Sequence, residues 1–435
     1  MGYALGTLTQ TPPTPAPSFS GLGIAPGILQ ILARMNFTTP TPIQHQAIPI
    51  ATEGKDVIGI AQTGTGKTLA FGLPMLQRIA AHGGRGLVIL PTRELAYQVE
   101  ESLRPFAASL NIRTAVFVGG ASMNLQREML RRDPRILIAT PGRLNDHLEQ
   151  RTVTLKEVKI LVLDEADRML DMGFKPQIDR ILAHVPKQRQ TLLFSATMPK
   201  EILQLASSQM SLPLRIEVAP AGTTAEKVEQ EIFVVRKEEK LRLLDKLLQE
   251  YTGSVLVFSR TKHGAKKMTR AVRAMGHSSA EIHANRSLAQ RREALEGFKS
   301  GRYRVLIATD IAARGIDVTG ISVVINYDLP DDPGDYVHRI GRTARAGREG
   351  RAISFASPDQ MQDIRSIERL IRSPLRRTPL PVLPPARAMP PEERSFGGRQ
   401  GGGWQERPRQ QNNARGGGSR GGRGMGGGGG RRRFR

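Results

Sequence analysis

Residues 57–68 read VIGIAQTGTGKT. VIGI (57–60) is a short, continuously apolar run, as expected of a strand buried on both faces of a parallel sheet. Ala61, Gln62, Thr63, Gly64, Thr65, Gly66, Lys67 and Thr68 follow, and a helical pattern comes next. In that strand–loop–helix setting, Gly64 and Gly66 let backbone N–H groups turn towards phosphate oxygens, and the helix adds the positive end of its dipole. Lys67 would reach the β- and γ-phosphates, and the Thr68 hydroxyl would ligand Mg²⁺. The strict formula for such a loop begins with Gly; Ala61 stands there instead, and the phosphate chemistry survives the exchange.

Hydrolysis needs a second element. KILVL (159–163) ends in Asp164-Glu165-Ala166-Asp167. Acids at the carboxyl end of a parallel strand lie at the sheet edge where ligands bind. There Asp164 can hold Mg²⁺ and Glu165 can polarise an attacking water. Acids also favour helix starts for electrostatic reasons alone, so it is the pairing with the phosphate loop that favours function. HRIGRTARAG (338–347) could place positive charge on the far side of a γ-phosphate; taken alone it would be a solvated face.

Further apolar runs extend this grammar along the chain. GLVIL (86–90), TAVFV (114–118), RILIA (135–139) and TLLF (191–194) alternate with helical patterns, which predicts stacked βαβ units. Residues 216–229 carry Pro, Gly, Thr and charges and predict a linker. A second series follows: IFVV (232–235), VLVF (255–258), RVLIA (304–308) and SVVIN (322–326), with helical stretches such as EEKLRLLDKLLQEY (238–251). The expected fold class is α/β, with two parallel-sheet domains in tandem over 19–215 and 230–372. A Thr/Pro-rich N-terminus (1–18) and a tail (373–435), Pro-rich and then Gly/Arg-rich, are expected to be disordered, because they cannot bury enough apolar surface to fold.

The chain has 64 Lys+Arg and 40 Asp+Glu, a formal charge of +24. Residues 371–435 hold 15 Arg, no Lys and 3 Glu, or +12, which leaves 49 basic and 37 acidic residues, also +12, for the rest. Such an excess points to a polyanionic partner. The absence of Cys excludes disulfides, thiolate catalysis and Cys-ligated zinc, and fits a reducing cytoplasm. No apolar run reaches the roughly 18 residues of a membrane span, and the N-terminus lacks the layout of a secretory signal. His45, His147 and His184 show no metal-ligand spacing. Met169 and Met172 suit packing, and Trp404 is a lone aromatic in the tail.

Taken in order, these segments resemble the DEAD-box RNA helicases over about residues 19–370. NFTTPTPIQ (36–44) is similar to the Q motif, AQTGTGKT to motif I and PTRELA (91–96) to motif Ia. Gly119-Gly120, TPGR (140–143), DEAD (164–167) and Ser195-Ala196-Thr197 follow. VLVFSRTK (255–262), ATDIAARGID (308–317) and HRIGRTARAG resemble motifs IV, V and VI, and DEADRMLDMGF (164–174) resembles the RhlE-type bacterial branch. Three positions depart from the pattern: Asn36 and Ala344 replace Gly, and Leu288 stands where many members have Gln.

The resemblance implies two RecA-like domains with ATP and Mg²⁺ in the cleft between them. Gln44 would read the adenine edge, a fit for a bidentate amide. Phe19 would stack on the ring or flank it, with plain packing the alternative for Phe19 and Phe37. Asp317 would contact the ribose. Arg342 and Arg345 would meet the γ-phosphate when the domains close, and with Lys67, Asp164 and Glu165 they make the expected catalytic set. Ser195 and Thr197 would link Asp167 to His338. RNA contacts transfer onto Thr92, Arg93, Gly119, Gly120, Thr140 and Arg143, and in the second domain onto Arg260, Arg291 and Thr309. The implied activity is RNA-stimulated ATP hydrolysis coupled to local duplex unwinding or RNP remodelling, without sequence preference, in the cytoplasm and with RNP or RNA-decay proteins as partners. The competing readings are an ATP-timed RNA clamp or annealing chaperone and a DNA helicase.

Overall fold

A short strand with no polar face is stable only when helices cover both of its sides, and that requirement organises both domains. In the first, β1 (Val57–Ile60), β2 (Arg85–Ile89), β3 (Thr114–Phe117), β4 (Ile136–Ala139), β5 (Val158–Leu163), β6 (Gln190–Ser195) and β7 (Leu214–Glu217) stand in the order β3-β4-β2-β5-β6-β1-β7, all parallel. In the second, β8 (Val228–Val234), β9 (Val255–Phe258), β10 (Ser279–Ile282), β11 (Val305–Ala308), β12 (Val323–Asn326), β13 (Gly350–Ala356) and β14 (Arg376–Arg377) stand in the order β10-β11-β9-β12-β13-β8-β14, again parallel. The structure, a computed structural model, describes residues 17–62, 64–218, 228–310, 318, 321–343 and 350–387. The tandem α/β architecture expected from the sequence is the one observed.

Successive residues of one strand enter opposite cores. Val88 and Leu192 pack with Phe71, Leu76 and Leu103 on one face; Ile89 and Leu193 pack with Met169, Ile178 and Ile181 on the other. Each such Leu or Ile contributes about 1.5–3 kcal/mol through removal from water. The register sets Ile60 beside Ser195 and Leu163 beside Leu193. The loops after β1, β6 and β5 therefore emerge side by side at one sheet edge.

Four strands escaped the sequence pattern. β7 is an edge strand with a single buried side chain, Ile216, and it runs past the boundary expected at residue 215. β10 contains Glu281, a glutamate only 5% exposed that pairs with Arg286 and lies 3.5 Å from the ring of His283; a charged residue mid-strand hides the apolar run. β13 opens on Gly350-Arg351, and β14 is two residues long. β8 starts at Val228, ahead of the expected 230, and residues 219–227 of the expected linker lie outside the described residues, as do residues 1–16 of the N-terminus.

The expectation of a disordered tail is corrected for residues 373–387; residues 388–435 lie outside the described residues. Leu375 is 4% exposed and packs with Ile232 and Ile371. Arg376–Arg377 extend the second sheet beside β8. The guanidinium of Arg242, on α10 (Lys240–Glu250), donates to the carbonyls of Pro384 at 2.7 Å and Leu383 at 3.2 Å. Arg387 Nε lies 2.9 Å from the buried Asp245 carboxylate. The prolines that suggested disorder work the other way here. Pro374, Pro379, Pro381, Pro384 and Pro385 have fixed φ and no N–H to satisfy, so a short strap is ordered at little entropic cost. A chain ended after Ser373 should lose about 2 kcal/mol of second-domain stability, seen as a lower calorimetric Tm, whereas a chain ended after Arg387 should keep the full-length value.

Candidate functional site

At the end of β1 the Ala61 N–H donates to the Ser195 carbonyl at 3.0 Å, lashing the phosphate loop to β6. Gly64 and Gly66 both have φ +88°, backbone that a side chain would strain. A Cβ on Gly66 would also lie 2.4 Å from Gln44 Nε2. Thr65 Oγ1 donates to Gln62 O at 2.7 Å. Lys67 opens α3 (Lys67–His82), and Thr68 is half-buried behind it. Lys67 Nζ is buried and makes no hydrogen bond among the described residues; its nearest opposite charge is Asp164 Oδ1, 3.8 Å away. Burial pushes the Asp164 carboxyl up to about 6 against the pull of Lys67. An ammonium without acceptors beside a carboxyl short of cations fits a phosphate chain with a divalent cation, each charge answering one of the two groups.

Glu165 is 3% exposed and left-handed, with φ 52° and ψ 48°, a strain of about 1–3 kcal/mol for a non-glycine residue. That turn starts α7 (Ala166–Asp171). Glu165 N–H donates to Asp164 Oδ1 at 2.9 Å. Asp167 binds the loop after β6: its N–H donates to Ser195 Oγ at 3.3 Å, and its Oδ2 accepts from Ala196 N at 3.1 Å and from Thr197 N and Oγ1, both at 2.9 Å. Burial pushes the Asp167 carboxyl up, but the Thr197 hydroxyl and the charge of Lys67 outweigh it and hold the group below the usual carboxylate range. The structure thus brings Asp167, Ser195 and Thr197 together. His338 is not bonded to them; its ring lies 3.9 Å from Asp335 on its own helix, α13 (Pro333–Ile340).

The two aromatics divide differently from the expectation. Phe19 is 3% exposed and belongs to the first core with Leu22 and Ile28, while Phe37 keeps 40% of its surface. Phe19 has no open face for a base; Phe37 does. Gln44, on α2 (Pro42–Thr52), has both amide atoms engaged: Oε1 accepts from Thr41 N at 2.9 Å and Nε2 donates to Gly66 O at 3.0 Å. It holds the phosphate loop from behind.

Thr92 caps α4 (Arg93–Ser109), with Oγ1 accepting from Leu95 N at 3.3 Å. The Arg93 guanidinium lies over Gly119 and Gly120, where a Cβ would sit 3.1 and 2.3 Å from its nitrogens. Arg143 donates to Ala121 O at 2.9 Å, and Thr140 is buried beside it. These residues form one patch. In the second domain, Arg260 is held by Asp328 and by the Leu329 carbonyl at 3.2 Å, and the Thr309 N–H donates to Ile282 O. Arg291, on α12 (Leu288–Lys299), is 8% exposed and makes an interdomain contact, its Nε lying 3.1 Å from Glu94 of α4. Arg342 is 3% exposed. Thr63, Asp317 and Arg345 lie outside the described residues. Sequence reading gave no role to Arg339, which donates to Asp310 at 2.5 and 2.7 Å and to Asp328 O at 2.6 Å, with its guanidinium 4.9 Å from the Phe258 ring centre.

Residues 41–205 match the DEAD/DEAH box helicase family and residues 239–347 match the helicase conserved C-terminal domain. The ATP-dependent rRNA helicase RRP3 of Debaryomyces hansenii is 44% identical over 368 residues, covering 84% of this chain and 77% of that one. The chain belongs to the DEAD-box helicase family. The ATP-dependent RNA helicase CshA of Listeria monocytogenes is 45% identical over 353 residues, covering 80% and 68%. Dbp5 of S. cerevisiae, solved bound to RNA and ADP BeF3, superimposes with a TM-score of 0.75 at 32% identity, over 84% of this chain and 96% of that one. As a DEAD-box protein the chain is an ATP-dependent RNA helicase and an ATP hydrolase, on two RecA-like domains. Among the described residues no helix is long and apolar enough to cross a membrane.

Because the folded-state value of Asp167 is depressed, its stabilisation is present above the unfolded value of about 4 and is lost as the pH falls through the folded one. Thr197→Ala removes the hydroxyl that contributes to that depression. It should cost about 1 kcal/mol at pH 7, and the gap to the parent should narrow as the pH falls below the unfolded value of about 4 when both are followed by urea denaturation.

Proposed function

We propose that this helicase couples RNA-stimulated ATP hydrolysis to local, sequence-independent separation of RNA strands or remodelling of RNPs. The observation that carries this is the buried Lys67–Asp164 pair, 3.8 Å apart, at the strand ends where Asp167 also grips Ser195 and Thr197. Mg²⁺ held by Thr68 and Asp164 would neutralise phosphate charge. Residues Ala61 to Lys67 bind the phosphates, and Glu165 orients the attacking water. Phe37 flanks the adenine, Gln44 fixes the loop that receives the nucleotide, and Asp317 binds the ribose. Arg342 and Arg345 complete the site from the second domain, so turnover depends on closure.

RNA provides the reason to close. Arg93, Arg143, Thr92, Thr140 and the amides of Gly119 and Gly120 hold the sugar–phosphate chain on one domain, with Arg260 and Thr309 on the other. Such contacts position a strand without reading its bases. Bending on closure releases the complementary strand, and hydrolysis reopens the clamp. The RhlE-type branch, a cytoplasmic setting and RNP or RNA-decay partners complete the proposal.

Glu165→Gln should bind ATP and RNA as the parent does while RNA-stimulated turnover falls by about two orders of magnitude or more. Measured with RNA and with single-stranded DNA, the parent's ATPase should respond to RNA; equal stimulation by DNA would overturn the choice of nucleic acid. Residues 388–435 carry 11 Arg against 3 Glu, or +8. Ending the chain after Arg387 spares the packed strap. It should flatten the salt dependence of RNA affinity and leave maximal turnover within about twofold.

A further inference from the structure

Arg168 directly follows the Asp164–Asp167 acids and is 2% exposed, the largest of the fully buried side chains. Its Nε lies 3.7 Å from Glu165 Oε2. Nη1 and Nη2 are also buried, and neither makes a hydrogen bond among the described residues. A guanidinium carries five N–H donors in a fixed plane and does not give up its charge, so burying its outer nitrogens without acceptors is costly. Arg339 shows how the same fold satisfies a buried arginine: its nitrogens bond to Asp310, Asp328 O and Asn326, and its face lies against Phe258. Arg168 is built the opposite way.

The surroundings supply the reason. Arg168 lines a small cavity with room for about one water. Every other wall belongs to the second domain: Phe258, Asp310, Asp335, His338, Arg339 and Arg342. Glu165 and Arg168 come from the first domain, and the acids Asp310 and Asp335 from the second. With the domains apart, the outer nitrogens of Arg168 face water and the side chain is free to swing from Glu165. With the domains together, room for about one water is left, and the Glu165 carboxylate, on the same turn of helix, is the ion-pair partner of the guanidinium among the described residues.

We propose that Arg168 is a positioning residue that ties domain closure to the placement of the Glu165 carboxylate. The second domain confines the guanidinium, and the confined guanidinium fixes Glu165. The inference rests on the reading of Glu165 as the group that orients water.

The cysteine-free chain accepts one engineered cysteine in each domain for fluorescence energy transfer. Closure is then followed with RNA and a non-hydrolysable ATP analogue, and kcat and KM with ATP and RNA. Arg168→Gln should lower RNA-stimulated kcat about tenfold or more and change the KM for ATP less than about threefold, without reducing the closed fraction, because closure then strands no charge. Arg168→Lys should not recover kcat, since an ammonium keeps the charge without the rigid fork that fixes Glu165. Asp335→Asn, on the opposite wall and outside the first-domain core, should also lower kcat, and the double variant should lose less than the sum of the two. Turnover of Arg168→Gln within about twofold of the parent would overturn the proposal, as would strict additivity with Asp335→Asn. If Glu165→Gln turned over normally, the reading of Glu165 would fail; a closed fraction of Arg168→Gln well below the parent's would instead overturn the proposal, by showing that the guanidinium holds the domains together rather than placing Glu165.

Discussion

Two opposite charges, Lys67 and Asp164, sit in the interior of the first domain 3.8 Å apart, and much else in the structure serves to keep them there. Neither is well satisfied by the protein: the ammonium lacks acceptors and the carboxyl is pushed up by burial. A fold can hold such a pair only if the surrounding frame is rigid enough not to collapse around it or let water in. The frame is the parallel sheet, apolar on both faces, with β6 wedged between the strands that carry the two residues. Asp167 then closes the arrangement by tying the end of β5 to the loop after β6 through four hydrogen bonds.

The second domain meets this frame with charge. Arg291 and Glu94 pair across the boundary, both nearly buried, and the Arg292 guanidinium lies 5.5 Å from the Tyr97 ring centre. Arg339 is held by Asp310, Asp328 and Asn326 so that its neighbours His338 and Arg342 are presented along one face of α13 and its end. Polar contacts of this kind are specific in geometry and modest in net strength. They hold two domains together less firmly than an apolar interface of the same area would.

The positive charge serves the same partner in two ways. Within the domains, arginines such as Arg93 and Arg143 are fixed by glycine backbone and carbonyl groups, so their charge has direction. Beyond Arg387 the charge comes with Gly-rich sequence, 11 Arg against 3 Glu. The Pro-rich strap between them belongs to the folded part, because its carbonyls and Arg387 find partners on α10.

The sequence by itself determined the chemistry: the glycines and lysine after VIGI, the acids after KILVL and the order of the segments that followed. Apolar runs of four or five residues with nothing polar to expose can be little else than strands of a doubly covered sheet, so the fold class was legible too. Strands whose inward residues include a charge, such as Glu281, or that lie at an edge, such as β7, were not, because their burial depends on partners far away in the chain. Tertiary structure alone decided where Phe19, Gln44 and Arg291 lie. Each is a residue whose type suits a ligand, and each is turned by packing towards the core, the phosphate loop or the other domain. Strand order, too, is a tertiary fact. The insertion of β6 between β5 and β1 brings three distant segments to one edge, and no local property of the chain encodes which strands will be neighbours.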